Sequence, residues 1–285
     1  MSDSSKRFQG KVIVITGAGG NFGREGCLYF AKHGAKIAAL DKMKQPLEET
    51  VEYVKKEVSG AVDIIDLECD VTDASNVQTT IENIVEKYGT IDMLWNNAGY
   101  QGLIKPTLDY DPNDFSMVMN INVTGMFIVL QAVAKQMVAQ QQKDGSSTSS
   151  TTYSIVNTSS VAGLRGTPAM VAYASSKAAV LAMTVSTSKD LAPYNIRVNA
   201  ISPALIGPGY MWDRQNELHA TSGSPYFDTN PEIVAKSKIN SVPLKRLGTI
   251  EEVIKSVAFL LSDEASYTTG TNLVVDGGMS SGLRC

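Results

Sequence analysis

The sequence predicts a single α/β domain built on a doubly wound parallel sheet with helices on both faces. Short apolar runs alternate with longer stretches of helical period, and neither a composition shift nor an internal repeat divides the 285 residues. Strands that alternate with helices form βαβ units and a parallel sheet covered on both faces. Nearly all such crossovers are right-handed, which makes the doubly wound arrangement the expected one. The predicted strands are 12–16, 37–41, 62–67, 93–96, 154–158, 196–202 and 272–275, and the predicted helices are 22–33, 45–58, 74–88, 112–139, 171–192 and 250–262.

Composition and charge exclude several classes of protein. A net charge of −4 disfavours nucleic acid and anionic membranes as partners. No window approaches the roughly 18 apolar residues of a transmembrane helix, and the polar start of the chain shows no secretory signal. The three cysteines have no metal or redox spacing, and two histidines are too few for a multi-histidine metal site. We therefore expect a cytoplasmic protein with reduced thiols and no metal centre.

Two segments interrupt the regular alternation of strands and helices. Residues 140–152 are polar and rich in Ser and Thr, which predicts a flexible surface loop. Residues 205–240 follow a strand end and are rich in Gly, Pro and aromatic residues, with little regular pattern. Sheets of this class place their ligands at strand ends, and long irregular segments there are usually functional. We therefore expect 205–240 to form a substrate lid.

A glycine-rich turn follows the first predicted strand. Residues 16–23 read Thr-Gly-Ala-Gly-Gly-Asn-Phe-Gly and lead directly into a helix. Glycines in such a turn let the backbone approach a pyrophosphate, whose charge the helix N-terminus stabilises. Because the turn follows a strand and opens a helix, it predicts a Rossmann-type dinucleotide site. The contacts expected from this turn are Gly17, Gly20, Asn21, Phe22 and Gly23.

The second predicted strand ends in Asp41. A carboxylate at this position accepts hydrogen bonds from the adenosine ribose and repels a 2′-phosphate, which favours NAD over NADP as cofactor. The neighbouring Lys42 softens this preference without reversing it. The ends of the third and fourth strands fall on the same edge of the sheet, and the small residues there let the chain pass close to a ligand. These strand ends carry Asp70, Val71, Asn97, Ala98 and Gly99, which read as ordinary turn residues when they are taken without further context.

Tyr173 and Lys177 lie four residues apart in an Ala-rich stretch that reads as one helix. Residues at this spacing stack on one helix face, so an ammonium group lies beside a phenol. A nearby cation favours the charged form of tyrosine, whose ordinary pKa is about 10. Lowering that pKa to about 7 requires roughly 4 kcal/mol, which a buried Lys and a positively charged nicotinamide together are expected to supply. Ser160 lies thirteen residues upstream of the tyrosine.

Taken together, these motifs resemble the short-chain dehydrogenase/reductase superfamily over residues 9–278. The glycine turn matches the family pattern except at Asn21, which replaces a glycine. Asn tolerates left-handed backbone conformations, so we expect the turn to survive. Two further departures are Ala204, in place of the Gly of the family's Pro-Gly, and Pro208, in place of a Thr that contacts the diphosphate. The resemblance also implies contacts with the adenine of the cofactor at Asp70 and Val71. Further cofactor contacts that it implies are Asn97, Ala98, Gly99, Pro203 and Ile206, in addition to Tyr173 and Lys177.

The resemblance maps the family's catalytic tetrad onto Asn122, Ser160, Tyr173 and Lys177. Ser160 is preferred to Ser159 because the family's serine precedes x-x-Gly. In the mechanism this implies, the Tyr173 phenolate takes the proton of a secondary alcohol while the hydride passes to NAD. Ser160 holds the substrate oxygen, Lys177 lowers the pKa of Tyr173, and Asn122 positions a water for proton relay. The family also implies a homotetramer in which helices 112–139 and 171–192 form one interface.

Within the superfamily, two segments beside the expected substrate pocket resemble those of NAD-dependent xylitol dehydrogenases. They are Tyr-Gln-Gly at 100–102 and Gly-Pro-Gly-Tyr-Met-Trp at 207–212. They imply substrate contacts at Gln101, Met211 and Trp212, with xylitol or a related polyol and its ketone as substrates. Two alternatives stay open. In the first, the chain is a carbonyl or 3-oxoacyl-carrier-protein-type reductase. In the second, it is a nucleotide-sensing protein that has lost catalysis.

Overall fold

A computed structural model describes residues 7–143 and 153–281, which form seven strands and ten helices. The strands are β1 Val12–Thr16, β2 Lys36–Asp41, β3 Ile64–Glu68, β4 Met93–Asn96, β5 Tyr153–Thr158, β6 Ile196–Pro203 and β7 Asn272–Val275. The helices are α1 Asn21–Lys32, α2 Lys44–Glu57, α3 Ala74–Tyr88, α4 Pro112–Met119, α5 Met126–Lys143, α6 Ala162–Arg165, α7 Val171–Leu191, α8 Tyr210–Ala220, α9 Pro231–Ser241 and α10 Ile250–Leu261. Single 3₁₀ turns occupy Thr107–Asp109, Ala192–Tyr194 and Asp263–Ala265.

The seven strands form one parallel sheet in the order β3-β2-β1-β4-β5-β6-β7. The chain winds outward from β1 in one direction and from β4 in the other, so the topological switch point lies between these two strands. One apolar core packs α1, α2 and α10 against one face, and a second packs α3 and α5 against the other. The predicted doubly wound α/β fold is therefore confirmed, and most strand and helix bounds agree with the prediction within two residues.

Helix α1 packs unusually close to the sheet because two of its residues are glycines. A Cβ at Gly26 would lie 2.2 Å from Cζ3 of the buried Trp95, and a Cβ at Gly23 would lie 2.2 Å from the Gly17 carbonyl oxygen. Both distances are far shorter than ordinary van der Waals contact. The close packing brings the N-terminus of α1 directly behind the turn that follows β1.

The predicted helix 112–139 is a longer and less regular element. Helix α4, a π-helical segment at Asn120–Gly125 and helix α5 follow one another without a break. Within the described residues, the stretch Pro112–Gln142 is the one helix long and apolar enough to cross a membrane by length and composition. Its inner face, including Val129, Val133 and Met137, packs in the second core, so we interpret it as a core helix.

The prediction that 205–240 lacks regular structure is wrong. Helices α8 and α9 occupy most of this segment and pack against each other. Asn230 caps α9 by accepting a hydrogen bond from the Glu232 amide at 2.8 Å. Neither helix has a continuous apolar stripe, because the buried residues of the pair include the polar Asn216 and His219 beside the apolar Trp212 and Val234. Of the predicted loop 140–152, residues 140–143 belong to α5, and 144–152 lie outside the described residues.

Candidate active site

A cavity of about 460 Å³ opens at the carboxyl edge of the sheet, over the switch point. Its walls come from the turns after β1, β2, β4, β5 and β6 and from helix α8. The sequence-predicted residues that line it are Gly17, Gly20, Asn21, Phe22, Asp41, Asn97, Ala98, Gly99, Gln101, Ser160, Tyr173, Lys177, Pro203, Ile206, Met211 and Trp212. Gly23, Asp70, Val71 and Asn122 are not among the lining residues.

The turn after β1 depends on two glycines for different reasons. Gly17 has φ +68°, a left-handed conformation, and a Cβ there would lie 3.0 Å from the Ala98 Cα. Gly23 is excluded from the cavity wall but allows the close approach of α1. Asn21 is the first residue of α1 and does not have positive φ. The turn forms with Asn21 in place, as expected, but the tolerance of Asn for left-handed backbone is not needed, because any residue with helical backbone fits there.

Asp41 is held in place by two backbone amides. Its Oδ2 accepts a hydrogen bond from Gly19 N at 2.9 Å, and its Oδ1 accepts one from Met43 N at 2.9 Å. Lys42 turns away and pairs with Asp70, with 2.6 Å between Nζ and Oδ2. Because Lys42 is engaged by this other carboxylate, it does not neutralise Asp41. The cavity therefore meets an uncompensated negative charge at the end of β2.

Asp70 and Val71 have structural partners rather than a place on the cavity wall. Hydrogen bonds from Lys42 and Thr72 lower the pKa of Asp70 to about 2. The Val71 side chain packs where a Cβ on Gly125 would come within 2.8 Å of it. Their predicted contacts with adenine stay predictions.

Tyr173 and Lys177 lie on one face of α7, as their spacing predicts. Lys177 is 3% exposed, donates a hydrogen bond to the Thr158 carbonyl at 2.8 Å, and places its Nζ 5.5 Å from the centroid of the Tyr173 ring. Burial lowers the pKa of Lys177 to about 8. Burial raises the pKa of Tyr173, and a hydrogen bond with the Ser160 hydroxyl opposes that rise. The chain without a bound ligand therefore favours the neutral phenol.

The two neighbouring serines differ in how their hydroxyls are used. Ser159 is buried and donates to the Lys177 carbonyl at 2.7 Å, which ties β5 to α7. The Ser160 Oγ accepts a hydrogen bond from Ala162 N at 3.2 Å and lies beside Tyr173 on the cavity wall. This arrangement supports the preference for Ser160 over Ser159.

Asn122 lies in the π-helical segment and is fully buried. Its side chain bridges two elements: Oδ1 accepts from Tyr100 N at 2.7 Å, while Nδ2 donates to the Tyr100 carbonyl at 2.8 Å and to Ser176 Oγ at 3.0 Å. A Cβ on Gly99 would lie 3.3 Å from Asn122 Oδ1 and 3.5 Å from Lys177 Nζ. Asn122 therefore lies close behind Lys177 and fixes the loop after β4. Sequence periodicity alone predicts a regular helix here and does not reveal the π-helical turn.

The far end of the cavity is closed by α8. Met211 and Trp212 line it as predicted, and Gln215, one turn further along the helix, joins them. Gln215 Nε2 donates to Gln101 Oε1 at 3.1 Å, so the loop after β4 and helix α8 are linked across the cavity. Gln215 is missed by the prediction, because the helical spacing of 211, 212 and 215 has no meaning until 210–220 is recognised as a helix.

A parallel doubly wound sheet with a glycine turn, an acidic strand end and a Tyr-Ser-Lys group at one edge defines a nucleotide-dependent oxidoreductase. The family profile described as enoyl-(acyl carrier protein) reductase matches residues 17–280. The chain belongs to the short-chain dehydrogenase/reductase family and is an oxidoreductase of that class.

Comparison with individual proteins shows similarity over almost the full length. The chain is 37% identical to a 3-oxoacyl-(acyl-carrier-protein) reductase of Thermotoga maritima, covering 96% of this chain and 99% of that one. It is 34% identical to levodione reductase of Leifsonia aquatica, with 98% and 97% covered. The crystal structure of an NAD⁺-bound xylitol dehydrogenase superposes with a TM-score of 0.90 at 48% identity, covering 96% of this chain and 100% of that chain.

Proposed function

We propose that the protein is an NAD-dependent dehydrogenase that interconverts a secondary alcohol and its ketone. The alcohol belongs to the polyol class, and xylitol is the first candidate. The observation that carries this proposal is the meeting of Ser160, Tyr173 and Lys177 on the wall of a cavity that also reaches Asp41. One end of the cavity carries the acid–base group, and the other carries the carboxylate expected to bind an adenosine ribose.

The residues present fit NAD as the cofactor. The turn after β1 leaves an open wall at Gly20, where a Cβ would meet only the Gly17 carbonyl at 3.4 Å. Asp41 presents a negative charge that disfavours a 2′-phosphate. NAD in its oxidised form supplies the hydride acceptor and a positive charge near the phenol. A structurally similar 3-ketoacyl-(acyl-carrier-protein) reductase of Brucella melitensis was crystallised in complex with NADH.

The side chains of this site divide the proton chemistry among them. Ser160 holds the alcohol oxygen, and Tyr173 takes its proton as general base. Lys177 lies behind the phenol with its Nζ anchored to the Thr158 carbonyl, where its charge favours the phenolate form that accepts the alcohol proton. Asn122 keeps the Tyr100 backbone in place beside Lys177 and positions a water for proton relay. Assistance of this kind is typically worth about 10²–10⁴-fold in rate.

The polyol class is supported by the wall of the cavity opposite Tyr173. Gln101 and Gln215 offer amide groups that hydrogen-bond hydroxyls, while Met211 and Trp212 cover a carbon chain. Helices α8 and α9 serve as the substrate lid in this proposal. The 48% identity to a xylitol dehydrogenase structure points in the same direction.

The second candidate is a 3-oxoacyl-carrier-protein-type reductase, which the 37% identity to the Thermotoga maritima reductase favours. Initial rates of NAD⁺ reduction with xylitol, sorbitol, ribitol, arabitol and galactitol, repeated with NADP⁺, separate the two. We expect turnover of at least one polyol with a preference for NAD⁺. No polyol turnover, together with reduction of an acyl thioester or a ketone, would overturn the substrate class. NADH binding without turnover of any of these compounds would indicate the catalytically silent alternative.

We also propose a cytoplasmic homotetramer. Helix α7 presents small exposed residues, Ala178 and Ala182, beside the exposed Val185, and α5 exposes Phe127. Small residues let two helices approach closely, and the apolar side chains beside them are suited to burial in an interface. Sedimentation equilibrium tests the proposal: a mass of four chains is expected, and a concentration-independent monomer would contradict it.

A further inference from the structure

A second cavity of about 360 Å³ adjoins the main one and shares Ser160, Tyr173 and Gln215 with it. An alcohol bound at Ser160 and Tyr173 therefore lies at the junction of the two cavities. The main cavity leads from this junction toward Asp41 and the proposed NAD site. The second cavity is the space available to the rest of the substrate molecule.

The second cavity is lined by polar side chains from both lid helices. His219 of α8 and Lys238 of α9 lie on its wall together with Arg165 of α6, and no carboxylate lies among its described lining residues. His219 is 1% exposed, and the Phe227 ring packs against it at 4.2 Å between centroids. Lys238 Nζ donates to Asn216 Oδ1 at 2.8 Å. Two helices that lack an apolar stripe therefore meet around a buried polar group.

The contacts of His219 assign the position of its ring proton. Nδ1 lies 2.7 Å from the Gln215 carbonyl oxygen and 3.1 Å from Lys238 Nζ. A carbonyl oxygen only accepts hydrogen bonds, and two lone pairs at 2.7 Å would repel, so this shorter contact places the proton on Nδ1. Lys238, which can only donate, directs a proton to Asn216 Oδ1 at 2.8 Å and not to this nitrogen. Burial and the nearby Lys238 lower the pKa of His219 to about 4, which keeps the ring neutral at pH 7. A neutral ring with its proton on Nδ1 carries a lone pair on Nε2.

That Nε2 is buried and has no hydrogen-bond partner within residues 7–143 and 153–281. Buried polar groups without partners are rare in native proteins because the loss of hydration is costly. A neutral acceptor beside a substrate cavity is complementary to one kind of ligand group, a hydrogen-bond donor. A carboxylate or phosphate oxygen in the same place would face a second lone pair.

We propose that His219 is a specificity-determining residue that accepts a hydrogen bond from a second hydroxyl of the substrate, remote from the carbon that is oxidised. The inference rests on the proposed dehydrogenase function and narrows its substrate class. Compounds with at least two hydroxyls are preferred to monohydric secondary alcohols. Lys238 is a positioning residue, because its charge beside Nδ1 opposes a second proton on the ring.

The test compares His219→Phe with wild type on the best polyol and on 2-butanol, with NAD⁺ saturating. We expect kcat/KM for the polyol to fall about 10- to 100-fold, mostly through KM, because a buried hydrogen bond is lost. The value for 2-butanol is expected to stay unchanged. His219→Gln is expected to recover part of the loss, because its amide oxygen also accepts.

The other histidine of the chain supplies a matched control. His33 makes the same contact with its own helix, Nδ1 to the Tyr29 carbonyl at 2.7 Å, but lies at the end of α1 and lines neither cavity. His33→Phe is expected to leave both substrates unaffected. Equal losses for the polyol and 2-butanol in His219→Phe would overturn the role of His219.

A spectroscopic measurement tests the role of His219 independently of turnover. In long-range ¹H–¹⁵N spectra of the histidine-labelled chain, His33→Phe assigns the remaining histidine. We expect an unprotonated Nε2 whose resonance shifts when polyol is added to the NADH complex. A proton on Nε2 would contradict the proposal. Absence of all alcohol turnover by wild type would instead overturn the proposed function, while the proton position and the polyol shift would still decide the role of His219.

Discussion

The active site has two halves that meet at Tyr173, the side of the main cavity that faces Asp41 and the second cavity that faces His219, and they are built in different ways. The half that faces Asp41 consists of short turns at the ends of β1, β2 and β4, and Asp41 is held there by the backbone amides of Gly19 and Met43. The half that faces His219 consists of helices α8 and α9, whose polar residues meet only because the helices pack together. The cofactor half can therefore be predicted from local sequence, while the substrate half requires the fold.

Substitution of Tyr173, at the junction between the halves, is expected to have the largest effect on activity. Tyr173→Phe keeps the ring packed on α7 but removes the proton acceptor, so we expect kcat to fall by about 10²–10⁴-fold or more. Unfolding and NADH binding are expected to match wild type, as measured by calorimetry and fluorescence titration. Tyr267→Phe is the control, since Tyr267 is fully exposed and lies outside both cavities. Wild-type turnover in a folded Tyr173→Phe protein would contradict the assignment.

Two glycines of the turn after β1 have different expected roles: Gly23 allows close packing, and Gly20 allows a ligand to approach. Gly23→Ala would place a Cβ 2.2 Å from the Gly17 carbonyl oxygen, and we expect it to lower the free energy of unfolding by about 3 kcal/mol, the range of overpacked cores. A Cβ at Gly20, on the cavity wall, would meet only the Gly17 carbonyl oxygen at 3.4 Å, so Gly20→Ala is expected to weaken NADH binding about tenfold. Because Gly20 is the N-cap of α1, the cost in stability is expected to be about 1 kcal/mol or less, the cost of Ala at an N-cap. Calorimetry and NADH titration of both variants measure the two effects. The reverse pattern would show that Gly20 and Gly23 have been assigned the wrong roles.

His219, in the substrate half, is expected to make the free energy of unfolding sensitive to acid. The pKa of His219 is lowered from 6.5 to about 4 in the folded chain, so below pH 6.5 the unfolded chain binds a proton that the folded chain does not. Stability is therefore lost as pH falls from about 7 toward 4, and this one group contributes about 2 kcal/mol of that loss by pH 5. His219→Gln removes the contribution. Urea unfolding of both proteins at pH 7.5 and pH 5 measures the difference, and an identical pH dependence would contradict the buried neutral ring.

Substitution of Asp41, in the cofactor half, is expected to have the smallest effect, a change in the preference for NAD⁺ over NADP⁺. Asp41→Asn removes the charge that repels a 2′-phosphate and keeps an oxygen that can accept from Gly19 or Met43. We expect the ratio of kcat/KM for NAD⁺ over NADP⁺ to fall about tenfold. Lys42→Met is the control, and because Lys42 is paired with Asp70, it is expected to leave the ratio nearly unchanged. A larger change in the control would show that Lys42 faces the cofactor.

Much of the fold follows from the sequence. Strands β1, β4 and β7 have the predicted bounds, because each is an apolar run between turn residues. Strand β3 begins later than predicted, at Ile64, since the boundary depends on pairing with β2 rather than on composition. Helices α8 and α9 escape prediction because their inner side mixes apolar residues such as Trp212 and Val234 with the polar Asn216 and His219, so the period that reveals an amphipathic helix is missing.

The site residues likewise divide into those that the sequence predicts and those that depend on the fold. The positions of Tyr173, Lys177 and Asp41 follow from helix spacing and from a strand end. The hydrogen bonds of Asn122 depend on a π-helical turn and on Tyr100, which periodicity does not reveal. Sequence spacing also does not predict that burial raises the pKa of Tyr173. The spacing reveals the neighbouring cation but not the loss of hydration.

The central claim is that a carbon-bound hydrogen of a polyol passes directly to NAD⁺ at the cavity edge held by Tyr173. The most direct measurement is turnover of xylitol whose carbon-bound hydrogens are replaced by deuterium, in ordinary water, with NMR analysis of the NADH formed. The account predicts one deuterium at C4 of the nicotinamide in every molecule of NADH, and no product from Tyr173→Phe in the same assay. NADH that carries only hydrogen, or an enzyme that forms none from any polyol, would contradict it.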